Sequence, residues 1–106
     1  MGFFDIFRQP DINKGLVQFR EEPHALLLDV RTPQEYASGH VPESMNVPVQ
    51  TIDRIVSVAP DKAIPLYIYC HSGARSSQAA ALLQRMGYYH VTNIGGIATY
   101  RGKLQK

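Results

Sequence analysis

The chain contains no tryptophan and only one cysteine, Cys70, in 106 residues. A single cysteine excludes an intramolecular disulfide and any multi-cysteine metal site. His24, His40 and His90 are dispersed, and no pair of them has metal-ligand spacing, so no metal is expected. No stretch approaches the ~20 apolar residues of a membrane span. Eleven basic against nine acidic residues leave a net charge of +2, too little for a strong overall field. The basic residues are scattered rather than interleaved with aromatics, so a nucleic-acid surface is not expected. A small anionic substrate could still be drawn by a local positive site. There is no internal repeat, no low-complexity run and no linker.

What is present fits one ordinary globular domain spanning 1–106, with a core over about 11–102. Residues 1–10 form an apolar extension carrying Phe3, Phe4, Ile6 and Phe7. It is too short for a signal-peptide core and has no basic leading region. Ile6 stands where the myristoylation pattern wants Ser or Thr. The extension is expected to pack onto the domain, and the cytoplasm is the default compartment.

Ile12, Leu16, Val17 and Phe19 give a partial helical period between Asp11, a possible N-cap, and Pro23. Ala25 to Val30 is a short apolar run typical of a strand buried on both faces. Thr32-Pro33-Gln34-Glu35 can build a capping box for a short helix that Gly39 stops. A brief strand at Met45–Val47 and a helix over Thr51–Val58 follow. Leu66 to Tyr69 is the second strong strand and ends on Cys70. Arg75 to Met86 is the best helix, with Ala79, Leu82, Leu83 and Met86 on its apolar face and Gly87 as its stop. His90 to Ile94 reads as a further strand, and Gly95-Gly96 as a turn into a last short helix containing Tyr100. Strands alternating with helices define an α/β fold with a mainly parallel sheet.

Taken alone, a free cysteine is more often a buried small hydrophobe than a reactive thiol. The setting of Cys70 reverses that reading. It stands at the carboxyl end of a strand, where open α/β sheets place their binding crevices. Ser72, Gly73 and Ala74 are small enough for backbone N–H groups to turn toward the sulfur, and a helix begins beyond them. Such a nest above a helix N-terminus is an anion site. Helix N-termini and cations lower a thiol pKa, and Arg75 supplies a cation, so Cys70 is expected to be largely thiolate at neutral pH.

The loop Cys70-His71-Ser72-Gly73-Ala74-Arg75-Ser76 resembles the active-site loop of the rhodanese family. The segment Leu28 to Tyr36 resembles that family's first signature, and Gly39 to Pro48 its second, with Glu43 and Ser44 where Gly and Ala are more usual. Asn93-Ile94-Gly95-Gly96-Ile97 resembles the turn near its C-terminus. Together they run in order from about Leu26 to Tyr100. The resemblance implies a five-stranded, mainly parallel sheet with helices on both faces. It also implies a sulfurtransferase in which Cys70 takes a sulfur from an anionic donor such as thiosulfate and passes it, as a persulfide, to cyanide, a thiol or a protein acceptor. Backbone N–H groups from His71 to Ser76 would hold the sulfur and Arg75 would pair with the donor's anionic end, with no metal or other cofactor.

A phosphatase or arsenate reductase on the same fold is one alternative, although that pattern places five residues between cysteine and arginine and this chain has four. A binding domain without turnover is the other, although inactive relatives typically lack the cysteine. His71 is read as steering substrate or as structural rather than as a proton carrier. Asp29 and Arg31 are read as a structural ion pair, and Glu35 as a cap. Ser76 and Ser77 lie in no nucleophile elbow, although Ser76 can hydrogen-bond the loop or the sulfur. Tyr100 stands where the family often has tryptophan, and can fill that volume if its hydroxyl finds a partner.

Overall fold

The computed structural model describes residues 10–106, so the apolar extension, apart from Pro10, lies outside the described residues. Four parallel strands form the sheet: β1 (Leu26–Asp29), β2 (Met45–Asn46), β3 (Leu66–Cys70) and β4 (Val91–Gly96), in the spatial order β2-β1-β3-β4. The four strands read from the sequence are therefore found. The fifth strand implied by the family resemblance is not, among the described residues.

The sheet is central because its side chains alternate. Leu28, Val30, Leu66, Ile68 and Cys70 fall in one apolar cluster with Ala79 and Leu83, whereas Leu27, Tyr67 and Tyr69 fall in a second with Ile12, Leu16 and Ile94. Successive strand residues point to opposite faces, so both faces must be covered by apolar helices. Helix α1 (Ile12–Glu21) covers one face. The other is covered by α4 (Ala74–Arg85), a 3₁₀ segment (Val49–Arg54) and the short α3 (Ile55–Val58). Helices on both faces were expected. The helix foreseen over Thr51–Val58 is instead this 3₁₀ segment followed by one α-turn, with Thr51 out of helical geometry.

Local signals account for most boundaries. Asp11 caps α1 by accepting from the Asn13 amide. Helix α2 (Pro33–Ser38) opens with a complete capping box: Thr32 Oγ1 accepts from the Glu35 N–H, and Glu35 Oε1 accepts from the Thr32 N–H. Strand β4 corrects the expected turn at Gly95-Gly96, because it runs through both glycines to pair with Tyr69 and Cys70. The pairing steps from Ile68 with Asn93 to Tyr69 with Gly95, so Ile94 is an extra residue in a bulge. Beyond β4, residues Ile97–Thr99 form a 3₁₀ turn, with Tyr100 following it rather than inside a helix. The Tyr100 ring packs on the α1 cluster and its hydroxyl donates to the Lys103 carbonyl at 3.0 Å.

Candidate active site

All five residues of β3 are buried, and the strand delivers Cys70 to its carboxyl end with no exposed surface. Gly73, the N-cap of α4, has φ +105°, a left-handed conformation that glycine adopts without the cost a side chain would bring. That reversal turns the loop's N–H groups inward. The Gly73 N–H donates to Cys70 Sγ at 3.0 Å, and the Ser76 hydroxyl lies 3.5 Å from the same sulfur.

The electrostatic result combines opposing effects. Burial pushes the thiol pKa up. The Ser76 hydroxyl and the backbone N–H groups of Ser76, Gly73 and Ser72 favour the thiolate, and the balance lies below the ordinary value. The lowering expected from the loop's position is therefore found, and its causes are the loop's own donors. His71 and Ala74 turn their side chains to solvent. The His71 main chain still matters, since its carbonyl accepts from the Ala98 N–H at 3.1 Å and ties the loop to the turn after β4.

Arg75 carries the cation at the end of the loop, but a carboxylate already meets it. Its Nη1 donates to Glu35 Oε1 at 2.7 Å and its Nη2 to Glu35 Oε2 at 3.0 Å. A two-pronged pair of this kind is the strong form of a charged hydrogen bond. Glu35 is thus both the cap of α2 and the partner of Arg75, a second role that the capping pattern alone did not show. Both side chains remain about one-third exposed, at 33% for Arg75 and 34% for Glu35.

Asp29 and Arg31 form the buried pair expected of them. Arg31 Nη2 lies 2.7 Å from Asp29 Oδ2, its Nε donates to both carboxylate oxygens, and its Nη2 also donates to the Gly39 carbonyl. Asp29 has no exposed surface and Arg31 only 5%. Desolvation works against the guanidinium charge, but the hydrogen bonds and charge of Asp29 outweigh it and raise the Arg31 pKa. The pair fastens the turn after β1 to the end of α2.

Two residues of β4 support the loop. An atom added at the Cβ position of Gly96 would collide with the carbonyl of His71, so only glycine admits the loop this close. The Asn93 side chain reaches Ser76 Oγ at 2.7 Å and the Gly73 carbonyl at 3.3 Å. Neither role was assigned from the sequence, although both residues lie in the segment that resembles the family's C-terminal turn. Beside the loop, Pro10, His71, Ser72, Gly96, Ala98 and Thr99 line a shallow cleft of about 180 Å³.

A parallel α/β sheet thus carries a buried cysteine to the start of a loop whose N–H groups turn toward its sulfur, with an arginine at the loop's far end. Comparison with known proteins identifies the family. The rhodanese-like domain model matches residues 13–103, and the chain belongs to that family. It is 41% identical over 71 residues to the thiosulfate sulfurtransferase PspE of Escherichia coli, covering 66% of this chain and 68% of that protein. It is 45% identical over 76 residues to a sulfurtransferase of Allochromatium vinosum, covering 71% of this chain and 70% of the relative. A solved structure described as a rhodanese with anions from E. coli superposes with a TM-score of 0.72 at 36% identity, covering 77% of this chain and 98% of that one.

Proposed function

We propose that this chain, a thiosulfate-type sulfurtransferase, works through a persulfide on Cys70. The observation that carries the reading is the set of donors converging on one sulfur: Gly73 N–H at 3.0 Å, with the Ser76 hydroxyl and two further backbone N–H groups. In the first step the Cys70 thiolate attacks the outer sulfur of thiosulfate. A new S–S bond forms, the donor's S–S bond breaks, and sulfite leaves with that electron pair. In the second step a thiolate or cyanide attacks the outer persulfide sulfur, and Cys70 leaves as the thiolate. The charge stays on sulfur throughout, so no general base is required. The loop's fixed N–H groups meet that charge without reorganising.

Ser72, Gly73 and Ser76 hold the sulfur, while His71 and Ala74 shape the rim of the loop. Arg75 meets the donor's sulfonate end with N–H groups left over from its pair with Glu35. Asp29 and Arg31 support the scaffold. No cofactor beyond the persulfide enters this reading. The donor is a small anionic sulfane-sulfur compound, and the acceptor is a thiol, free or on a protein. No described helix is long and apolar enough to cross a membrane. A cytoplasmic site of action agrees with a lone thiol that must stay reduced.

Intact-mass measurement after exposure to thiosulfate tests the reading. The expected result is the mass of one added sulfur, removed by cyanide with release of thiocyanate, and absent in Cys70→Ser. A wild-type protein that gains no sulfur, or a Cys70→Ser variant that still transfers it, would overturn it.

A further inference from the structure

The Ser76 hydroxyl has one proton and several acceptors. Its oxygen lies 2.7 Å from Asn93 Oδ1, 3.0 Å from the Gly73 carbonyl, and 3.5 Å from both Cys70 Sγ and the Gly95 carbonyl. Only one of these can receive the proton at a time. The orientation of the Asn93 amide is fixed at both ends. The Gly95 N–H, which can only donate, faces Oδ1 at 3.0 Å, and the Gly73 carbonyl, which can only accept, faces Nδ2 at 3.3 Å. Asn93 is aimed this way by the bulge in β4, which removes Ile94 from the pairing and lets Gly95 bond to the asparagine side chain.

We propose that Asn93 is a positioning residue for the sulfur chemistry, acting through Ser76. Its Oδ1 competes with Cys70 for the Ser76 proton, and its Nδ2 bond to the Gly73 carbonyl keeps Oδ1 turned toward that hydroxyl. With negative charge on Sγ, the hydroxyl turns to the sulfur. Once Cys70 carries a persulfide, the charge moves to the outer sulfur, and the hydroxyl returns to Asn93. The hydroxyl thus follows the charge through the cycle by rotating about one bond. The persulfide half of this cycle rests on the function proposed above; the competition for the proton does not.

Among the described residues, the charged groups around this network are few. Helix α4 brings Arg75, neutralised by Glu35 of α2, and the turn after β1 brings the Asp29–Arg31 pair. His71 adjoins the sulfur in sequence with its side chain exposed, and β4 carries no charged residue. A change at Asn93 therefore reads out through hydrogen bonding unless it introduces charge itself.

The test is the pH dependence of Cys70 alkylation by iodoacetamide, which needs no sulfur transfer and so succeeds or fails independently of the proposed activity. Asn93→Ala removes the competing acceptor and releases the Ser76 proton to the sulfur, so the alkylation midpoint should fall. Asn93→Asp presents a carboxylate that keeps the proton and faces the Gly73 carbonyl, so the midpoint should rise by about one unit, a tenfold loss of thiolate at low pH. Adding Ser76→Ala should abolish the fall seen with Asn93→Ala. A residue that merely braces the fold would shift both single variants upward, toward a free thiol. That pattern, or no shift in Asn93→Ala, would overturn the proposal. If the aspartate variant does not fold, the alanine variant with and without Ser76→Ala decides alone.

Discussion

Arg75, which ends the loop that begins at Cys70, is held at both terminal nitrogens by Glu35, the same carboxylate that completes the capping box of α2. Two elements 40 residues apart are joined at the mouth of the site by one side chain. The hydrogen bond from Arg75 is the main reason that the Glu35 carboxyl titrates at about 2, well below its ordinary 4.5. A carboxyl depressed on folding stabilises the native state above its unfolded pKa and loses that contribution as pH falls through its folded pKa. The window here runs from about 4.5 down to about 2. With both partners one-third exposed, solvent screening reduces the effect to roughly 1 kcal/mol at neutral pH. Glu35→Gln should therefore unfold at lower urea than wild type at pH 7, and the two curves should converge near pH 2. A difference that stays constant from pH 7 to pH 2 would show that capping geometry, not charge, accounts for the loss.

The same pairing sharpens what Arg75 contributes to the reaction. Its charge is already balanced, so it cannot be the main reason for the lowered thiol pKa. Its remaining N–H groups serve a bound anion instead. Arg75→Ala should raise KM for thiosulfate about tenfold or more, in line with the loss of a charge-assisted hydrogen bond. It should change transfer from an uncharged sulfane donor far less. Equal losses with both donors would remove the anion-pairing role and leave Arg75 a brace for α2.

Much of this was legible in the sequence, for identifiable reasons. Short apolar runs gave β1 and β3 because strands buried on both faces have no polar register to hide. Thr32-Pro33-Gln34-Glu35 gave the start of α2 because a capping box is written in four consecutive residues. Cys70 stood out because strand end, small residues and helix start are consecutive too. What escaped was non-local. The second partner of Glu35 lies 40 residues away, and the contact of Asn93 with Ser76 spans 17. Gly95-Gly96 was read as a turn because glycine punctuates loops. Here the pair continues β4, and Gly96 answers to a steric demand set by another segment, the His71 carbonyl.

That steric demand yields its own prediction. Replacing Gly96 by alanine would drive a methyl group into the backbone of the Cys70 loop at His71 and Ser72, which no side-chain rotation can relieve. Overpacking of this kind costs about 1–3 kcal/mol and is relieved by moving the softer partner, here the exposed loop rather than the buried strand. Gly96→Ala should keep the circular dichroism spectrum of the fold, melt a few degrees lower, and lose most sulfur loading because the N–H groups no longer meet Sγ. Normal loading in a folded Gly96→Ala protein would mean that the loop tolerates the displacement and that its fine geometry is not what activates Cys70.

The buried Asp29–Arg31 pair tests the scaffold in the same way. Arg31 holds the carboxylate with three side-chain hydrogen bonds and its own backbone N–H, and also reaches the Gly39 carbonyl beyond α2. Removing one member of such a pair leaves a fully buried, uncompensated charge, which costs about 3–5 kcal/mol, whereas removing both charges costs much less. Arg31→Met should therefore be severely destabilised, and Asp29→Asn in the same chain should recover part of the loss. Equilibrium denaturation of the two single variants and the double variant measures the coupling directly. Additive losses would mean that Arg31 stabilises the turn mainly through Gly39. A double variant more stable than Arg31→Met would show that the pair is there because each charge needs the other, and would separate its structural task from the chemistry at Cys70.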